Sequence, residues 1–91
     1  MDLKEIRPQI DAIDRQLVAL MEKRMDLVQA VADYKKEHGL SVLDSGREKQ
    51  VLDKVASHIQ TKTYEETILE SMQAIMDLSK AYQVKRMDLN D

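Results

Sequence analysis

A chain of 91 residues has room for one domain, and its 43% apolar and 34% charged side chains fit a globular protein and exclude a disordered one. A net charge of −3 argues against a nucleic-acid surface, and the absence of cysteine excludes disulfides and thiolate metal sites. No run approaches the about 18 apolar residues of a membrane span, and the opening Met-Asp-Leu-Lys-Glu lacks a basic-then-apolar signal, so the cytoplasm is the expected compartment.

Two glycines, one proline and no alternating β-branched runs predict an all-α fold, with a core of Leu, Ile, Val and Met because Phe and Trp are missing. Asp2 and Glu5 have capping-box spacing, which starts the first helix near Leu3. Its apolar residues are Leu3, Ile6, Ile10, Ile13, Leu17, Leu20, Leu27 and Val31, at alternating spacings of three and four with one beat skipped at position 24, and the pattern continues to Tyr34 and Lys35. Pro8 lies beyond the first turn, so either the regular helix begins nearer Arg7 or it bends there. His38-Gly39 supplies the stop.

Leu40 to Asp44 forms a short connector, and Asp44 or Ser45 caps a second helix carrying Val51, Leu52, Val55 and Ile59. Thr61-Lys62-Thr63 breaks that pattern, and Thr63 with Glu66 again has capping-box spacing. A third helix runs from about Tyr64 to about Lys85, with Ile68, Met72, Ile75 and Tyr82 on one face. Met87 to Asp91 is expected to fray. No internal repeat, low-complexity tract or second domain is visible, so residues 1–91 are expected to form one helical domain.

The length of the first helix bears on assembly. About 33 residues make a rod of about 50 Å, whereas a compact chain of this size is about 30 Å across. Because the apolar stripe runs the whole way, the overhang calls for burial by a second copy, most simply across a two-fold axis.

Four polar residues stand where a core residue is expected. Arg24 takes the position between Leu20 and Leu27, Lys35 lies about 20° past three full turns from it, and Ser79 and Gln83 sit in the apolar face of the third helix. An uncompensated buried cation costs several kcal/mol, so both cations need anionic partners. One reading is internal: Glu48 neutralises Arg24 while Lys35 reaches solvent. The other is a ligand bearing carboxylates or phosphates, for which arginine offers a planar two-pronged fork. The pattern alone admits both. Asp44 can be a plain cap, Glu48 can close a capping box with Ser45, and Arg47 beside Glu48 can be a solvated pair. Ser79 can bond back to its own helix and Arg7 can be plain surface. His38 and His58 have no metal-ligand spacing and are expected to be exposed, and the methionines are expected to fill core. No nucleophile–base pair, glycine-rich phosphate loop or metal cluster is visible, so any chemistry is non-covalent.

Four segments in order carry a resemblance. Leu3 to Asp14 (LKEIRPQIDAID), Leu20 to Lys36 (LMEKRMDLVQAVADYKK), the DSGRE run containing Asp44, Arg47 and Glu48, and SKAYQ from Ser79 to Gln83 resemble the all-helical chorismate mutases over nearly the full length. The resemblance implies an intertwined homodimeric helical bundle of three helices per chain, with two active sites. It implies rearrangement of chorismate to prephenate in phenylalanine and tyrosine synthesis, with no cofactor, metal or covalent intermediate. Arg24 and Arg7 of the partner subunit would hold the two substrate carboxylates, with Ser79 assisting one. Lys35 and Gln83 would donate to the ether oxygen, and Asp44, Arg47 and Glu48 would line the remaining wall, the acids near the ring hydroxyl.

Two departures bear on this: Pro8 directly follows Arg7, and Gly46 loosens the first turn of the second helix by about 1 kcal/mol relative to alanine. The rival readings are pyruvate elimination from isochorismate on the same fold, and a non-catalytic helical module for dimerisation or ligand sensing. A plain structural coiled coil leaves the two cations, Ser79 and Gln83 unexplained.

Overall fold

The computed structural model describes residues 1–89. Three α-helices run in order, α1 over Leu3–Glu37, α2 over Ser45–His58 and α3 over Glu65–Leu89, with a 3-10 turn at Lys62–Tyr64. No strand occurs among the described residues, and the fold is all-α as the composition required. No helix among them is long and apolar enough to cross a membrane.

The start of α1 follows from its cap. Asp2 Oδ1 accepts the Glu5 backbone N–H at 3.0 Å, and the helix passes through Pro8 without restarting at Arg7. At its other end Gly39 has φ +65°, a conformation that suits a residue without Cβ. The Leu40 N–H then donates to the Lys35 carbonyl at 2.8 Å and the Gly39 N–H to the Lys36 carbonyl at 3.3 Å, a Schellman closure. This turn sends the connector back toward α1, so that the Val42 carbonyl meets Lys35 Nζ at 2.9 Å.

Asp44, rather than Ser45, caps α2: its Oδ1 accepts the Arg47 N–H at 3.0 Å. The expected box of Thr63 and Glu66 does not form. Thr63 lies inside the 3-10 turn, Thr61 stands at its N-cap without a side-chain bond, and α3 begins at Glu65. α3 runs on through Met87 to Leu89, past the end expected near Lys85, while 90–91 lie outside the described residues. Lys36 Nζ donates to the Met87 carbonyl at 2.7 Å, a cation on a carbonyl of the last turn, and so holds that end to α1.

α3 is the centre of the packing: α1 and α2 both lie against it, and among the described residues their own backbones do not approach closely. Val28 and Ala32 of α1 and Met76 of α3 are the buried apolar residues, with Ser79 and Gln83 buried beside them. Arg86 clamps α3 to α1 through Asp33, with Nε to Oδ1 at 2.8 Å and Nη2 to Oδ2 at 3.0 Å. That hydrogen-bonded guanidinium also holds the Asp33 carboxyl below its ordinary value.

Within one chain, the line of α1 that packs on α3 runs through Val28 and Ala32, beside the stripe, and leaves Leu27 and Val31 open. Every residue from 7 to 23 is exposed, including Ile10, Ile13, Leu17 and Leu20. The molecule measures 53 × 25 × 15 Å, the long axis set by α1. Its accessible surface is 7424 Å², against about 5,400 Å² for a folded monomer of this mass.

Candidate active site

Where α1 and α2 diverge over α3 they leave a cleft of about 280 Å³. Arg24, Val28 and Lys35 come from α1, Arg47, Glu48 and Val51 from α2, and Met76, Ser79, Lys80 and Gln83 from α3, with Val42 and Asp44 from the connector. Seven of the eight site residues read from the sequence therefore meet in one place. The four cations Arg24, Lys35, Arg47 and Lys80 against the two acids Asp44 and Glu48 leave a formal surplus of two positive charges.

Each cation on the α1 edge is braced by neutral groups. Arg24 Nη1 donates to Ser79 Oγ at 2.6 Å, and Ser79 Oγ donates in turn to the Ile75 carbonyl at 2.7 Å. The expected return of Ser79 to its own helix therefore occurs, and its hydroxyl serves to aim Arg24 as well. Lys35 Nζ donates to the Val42 carbonyl at 2.9 Å and to Gln83 Oε1 at 3.2 Å, so it is held in the cleft rather than extended to solvent. Neither Arg24 nor Lys35 has a carboxylate at ion-pair distance among the described residues.

Glu48 does not neutralise Arg24, nor does it cap α2 with Ser45. It crosses to α3, where Lys80 Nζ lies 3.1 Å from Oε2 and Gln73 Nε2 lies 3.2 Å from Oε1. Lys80 also lies 3.4 Å from Asp77, and Gln73 donates to that same acid at 3.0 Å. The hydrogen bond from Lys80, then that from Gln73, holds the Glu48 carboxyl below its ordinary value, and Glu48 raises Lys80. Both shifts favour the charged forms, so the bridge stands across neutral pH. It is lost in acid as Glu48 protonates and in strong base as Lys80 loses its proton.

The residues that line the cleft keep unused donors. A guanidinium has five N–H groups, and Arg24 spends one on Ser79. An ammonium has three, and Lys35 spends two. Gln83 gives its oxygen to Lys35, which leaves its Nε2 without an acceptor among the described residues. The site can therefore receive oxygen acceptors at Arg24, Lys35 and Gln83, while Asp44 and Glu48 offer acceptors in the same cleft.

Arg7 is the residue the structure leaves out. It is exposed and lies seventeen residues before Arg24 on the same continuous helix, about 25 Å away along the axis. His38 and His58 are exposed as expected, His38 stacking on Tyr34 with ring centroids 3.9 Å apart. No group of three metal-binding side chains occurs among the described residues. Sequence reasoning missed Lys80 and Gln73. Periodicity places Lys80 about 100° around the helix from Ser79 and is silent on its partner, which comes from α2, 32 residues earlier.

Fold and cleft together define a class: an all-helical protein presenting a cationic, partly acid-lined cleft to a small anionic molecule. The family model described as "Chorismate mutase type II" matches residues 6–84, and the chain belongs to that family. A chorismate mutase of Methanocaldococcus jannaschii is 30% identical over 87 residues, covering 94% of this chain and 88% of that protein. A 4-amino-4-deoxychorismate mutase of Streptomyces venezuelae is 30% identical over 71 residues, 78% of this chain and 69% of the relative. The T-protein of Haemophilus influenzae is 44% identical over 46 residues, half of this chain but 12% of that protein.

Proposed function

We propose that this chain is a chorismate mutase that converts chorismate to prephenate in a homodimer, each cleft completed by the other subunit. The observation that carries the reading is the pair of half-buried cations, Arg24 and Lys35, braced by neutral groups and lacking any carboxylate partner among the described residues. Such a pair is stable when a ligand supplies the anions. Family membership favours the mutase over pyruvate elimination or a silent module.

The roles follow from the chemistry. Arg24 takes one substrate carboxylate with its spare N–H groups, and Arg7 of the partner subunit takes the other. Binding both ends locks the enolpyruvyl arm over the ring, removing rotational freedom that the reaction otherwise loses at its barrier. As the ether C–O bond breaks, its oxygen gains negative charge. The third Lys35 proton and the free Gln83 amide donate to that oxygen more strongly in the transition state than in the ground state. Asp44 and Glu48 accept from the ring hydroxyl, and Arg47 completes the wall.

The dimer rests on surface. About 2,000 Å² per chain beyond the monomer expectation, with an apolar stripe along α1, fits an obligate interface rather than a solvent-facing surface. Residues 1–91 then act as one helical domain in each subunit.

The deciding assay is loss of chorismate absorbance with products identified, isochorismate being run in parallel. Prephenate formation supports the reading. Pyruvate from isochorismate alone transfers it to the lyase, and silence on both from a folded dimer rejects it. Gln83 provides a second check: Gln83→Glu should keep activity only at acidic pH, where a protonated carboxyl can still donate to the ether oxygen. A flat pH profile in that variant contradicts the role.

A further inference from the structure

Two relatives at the same 30% identity bear names that differ in one substituent, a ring hydroxyl in one and an amino group in the other. Percentage identity therefore does not choose between the two substrates, and the charge balance of the wall around Glu48 is the feature that can. We propose that Lys80 is a specificity-determining residue, which selects the neutral hydroxyl over an ammonium by matching the charge of Glu48. The proposal rests on the mutase reading above and extends it to a residue that reading does not use.

The geometry is specific. Each Glu48 oxygen takes one donor from α3, Gln73 at 3.2 Å on Oε1 and Lys80 at 3.1 Å on Oε2. Both partners of the bridge are well covered, with side chains 29% and 20% exposed. A carboxylate oxygen has two acceptor sites, so Glu48 can still accept from a ligand O–H after these bonds are made. Its charge, however, is already balanced. A hydroxyl needs only the acceptor, whereas an ammonium also needs uncompensated negative charge nearby.

The rest of the wall does not restore that charge. Asp44 is the other acid lining the cleft, and Arg47 lies on the same wall, so Asp44, Arg47, Glu48 and Lys80 together sum to zero. Asp77 tethers Lys80 at 3.4 Å but does not line the cleft. Without Lys80 the wall becomes net negative and Glu48 is free to pair with a ligand cation. The lowered Glu48 carboxyl agrees with this picture, since it keeps the residue an acceptor rather than a donor.

The test compares kcat/KM for chorismate and 4-amino-4-deoxychorismate near neutral pH in the wild-type protein, Lys80→Met and Lys80→Arg. Wild type should prefer chorismate. Lys80→Met should shrink that preference about tenfold, the effect of one nearby charge in a partly wet site, and Lys80→Arg should largely keep it. The acid limb of the chorismate profile should also move to higher pH in Lys80→Met, because Glu48 loses its main donor. General damage to the fold lowers both rates and leaves their ratio alone. Should Lys80→Met fail to fold, Lys80→Gln carries the same ratio measurement while retaining a hydrogen-bond donor. An unchanged ratio in a folded variant, or a wild-type preference for the amino substrate, overturns the role of Lys80 and leaves the mutase reading standing. Wild type inert on both substrates overturns the two together.

Discussion

Lys35→Ala should lose about 10²- to 10³-fold in turnover, the scale of deleting one preorganised donor to a developing oxyanion, while keeping its helicity and dimerisation. Lys35 is preorganised by three features that arise from separate parts of the chain. The Schellman turn at Gly39 closes α1 and reverses the connector, Val42 then offers its carbonyl, and Gln83 offers Oε1 from α3. Two of three ammonium protons are thereby committed, and the third remains for an acceptor in the cleft that Lys35 lines. The same bonds explain why stability should survive. Alanine frees the Val42 and Gln83 oxygens next to an open cleft, where water can replace the lost donor at little cost. The measurement is kcat from chorismate consumption beside far-ultraviolet circular dichroism and sedimentation. Near-normal turnover would remove Lys35 from the mechanism, and loss of helicity would make it structural.

Equal mixing of Arg7→Ala and Arg24→Ala, each inactive alone, should recover about a quarter of wild-type activity after subunit exchange. The fraction follows from two-fold symmetry: about half of the dimers are mixed, and one site of each mixed dimer regains both arginines. The structure motivates the experiment by separation. α1 is one unbroken helix, so Arg7 and Arg24 of one chain stand about 25 Å apart and cannot serve one cleft. An exposed apolar stripe lies between them through Ile10, Ile13, Leu17 and Leu20, the surface on which a second copy would bring its own Arg7 over. Native mass spectrometry establishes that exchange has occurred. Exchange without recovery would mean that Arg7 is not shared, whatever the oligomeric state.

Much of this was legible in the sequence because helical periodicity and caps are local. The Asp2 and Asp44 caps, the Gly39 stop and the three helices each depend on residues within a turn or two of one another. Arg24, Lys35, Ser79 and Gln83 were visible as polar breaks in apolar faces, and they converge in the cleft. The stripe on α1 was read as apolar and as needing a second copy over its overhang, and within the single chain it does lie exposed. Periodicity reports that a face is apolar without saying what covers it, and the line that meets α3 is the adjacent one through Val28 and Ala32.

The sequence by itself determined the helix count, the caps of α1 and α2, the glycine stop of α1 and the cationic residues that interrupt the first helix, since each of these is settled by neighbours three or four positions away. Only the tertiary structure decided which charge meets which. Glu48 had three candidate partners in the sequence, Arg24, Ser45 and Arg47, and pairs with none of them, because α2 packs on α3 rather than on α1, and that packing brings Lys80 to its carboxylate. Arg24 and Lys35 are thereby left without a carboxylate partner among the described residues. Pairing between elements far apart along the chain depends on how helices cross, a property of their combined surfaces that no single stretch encodes.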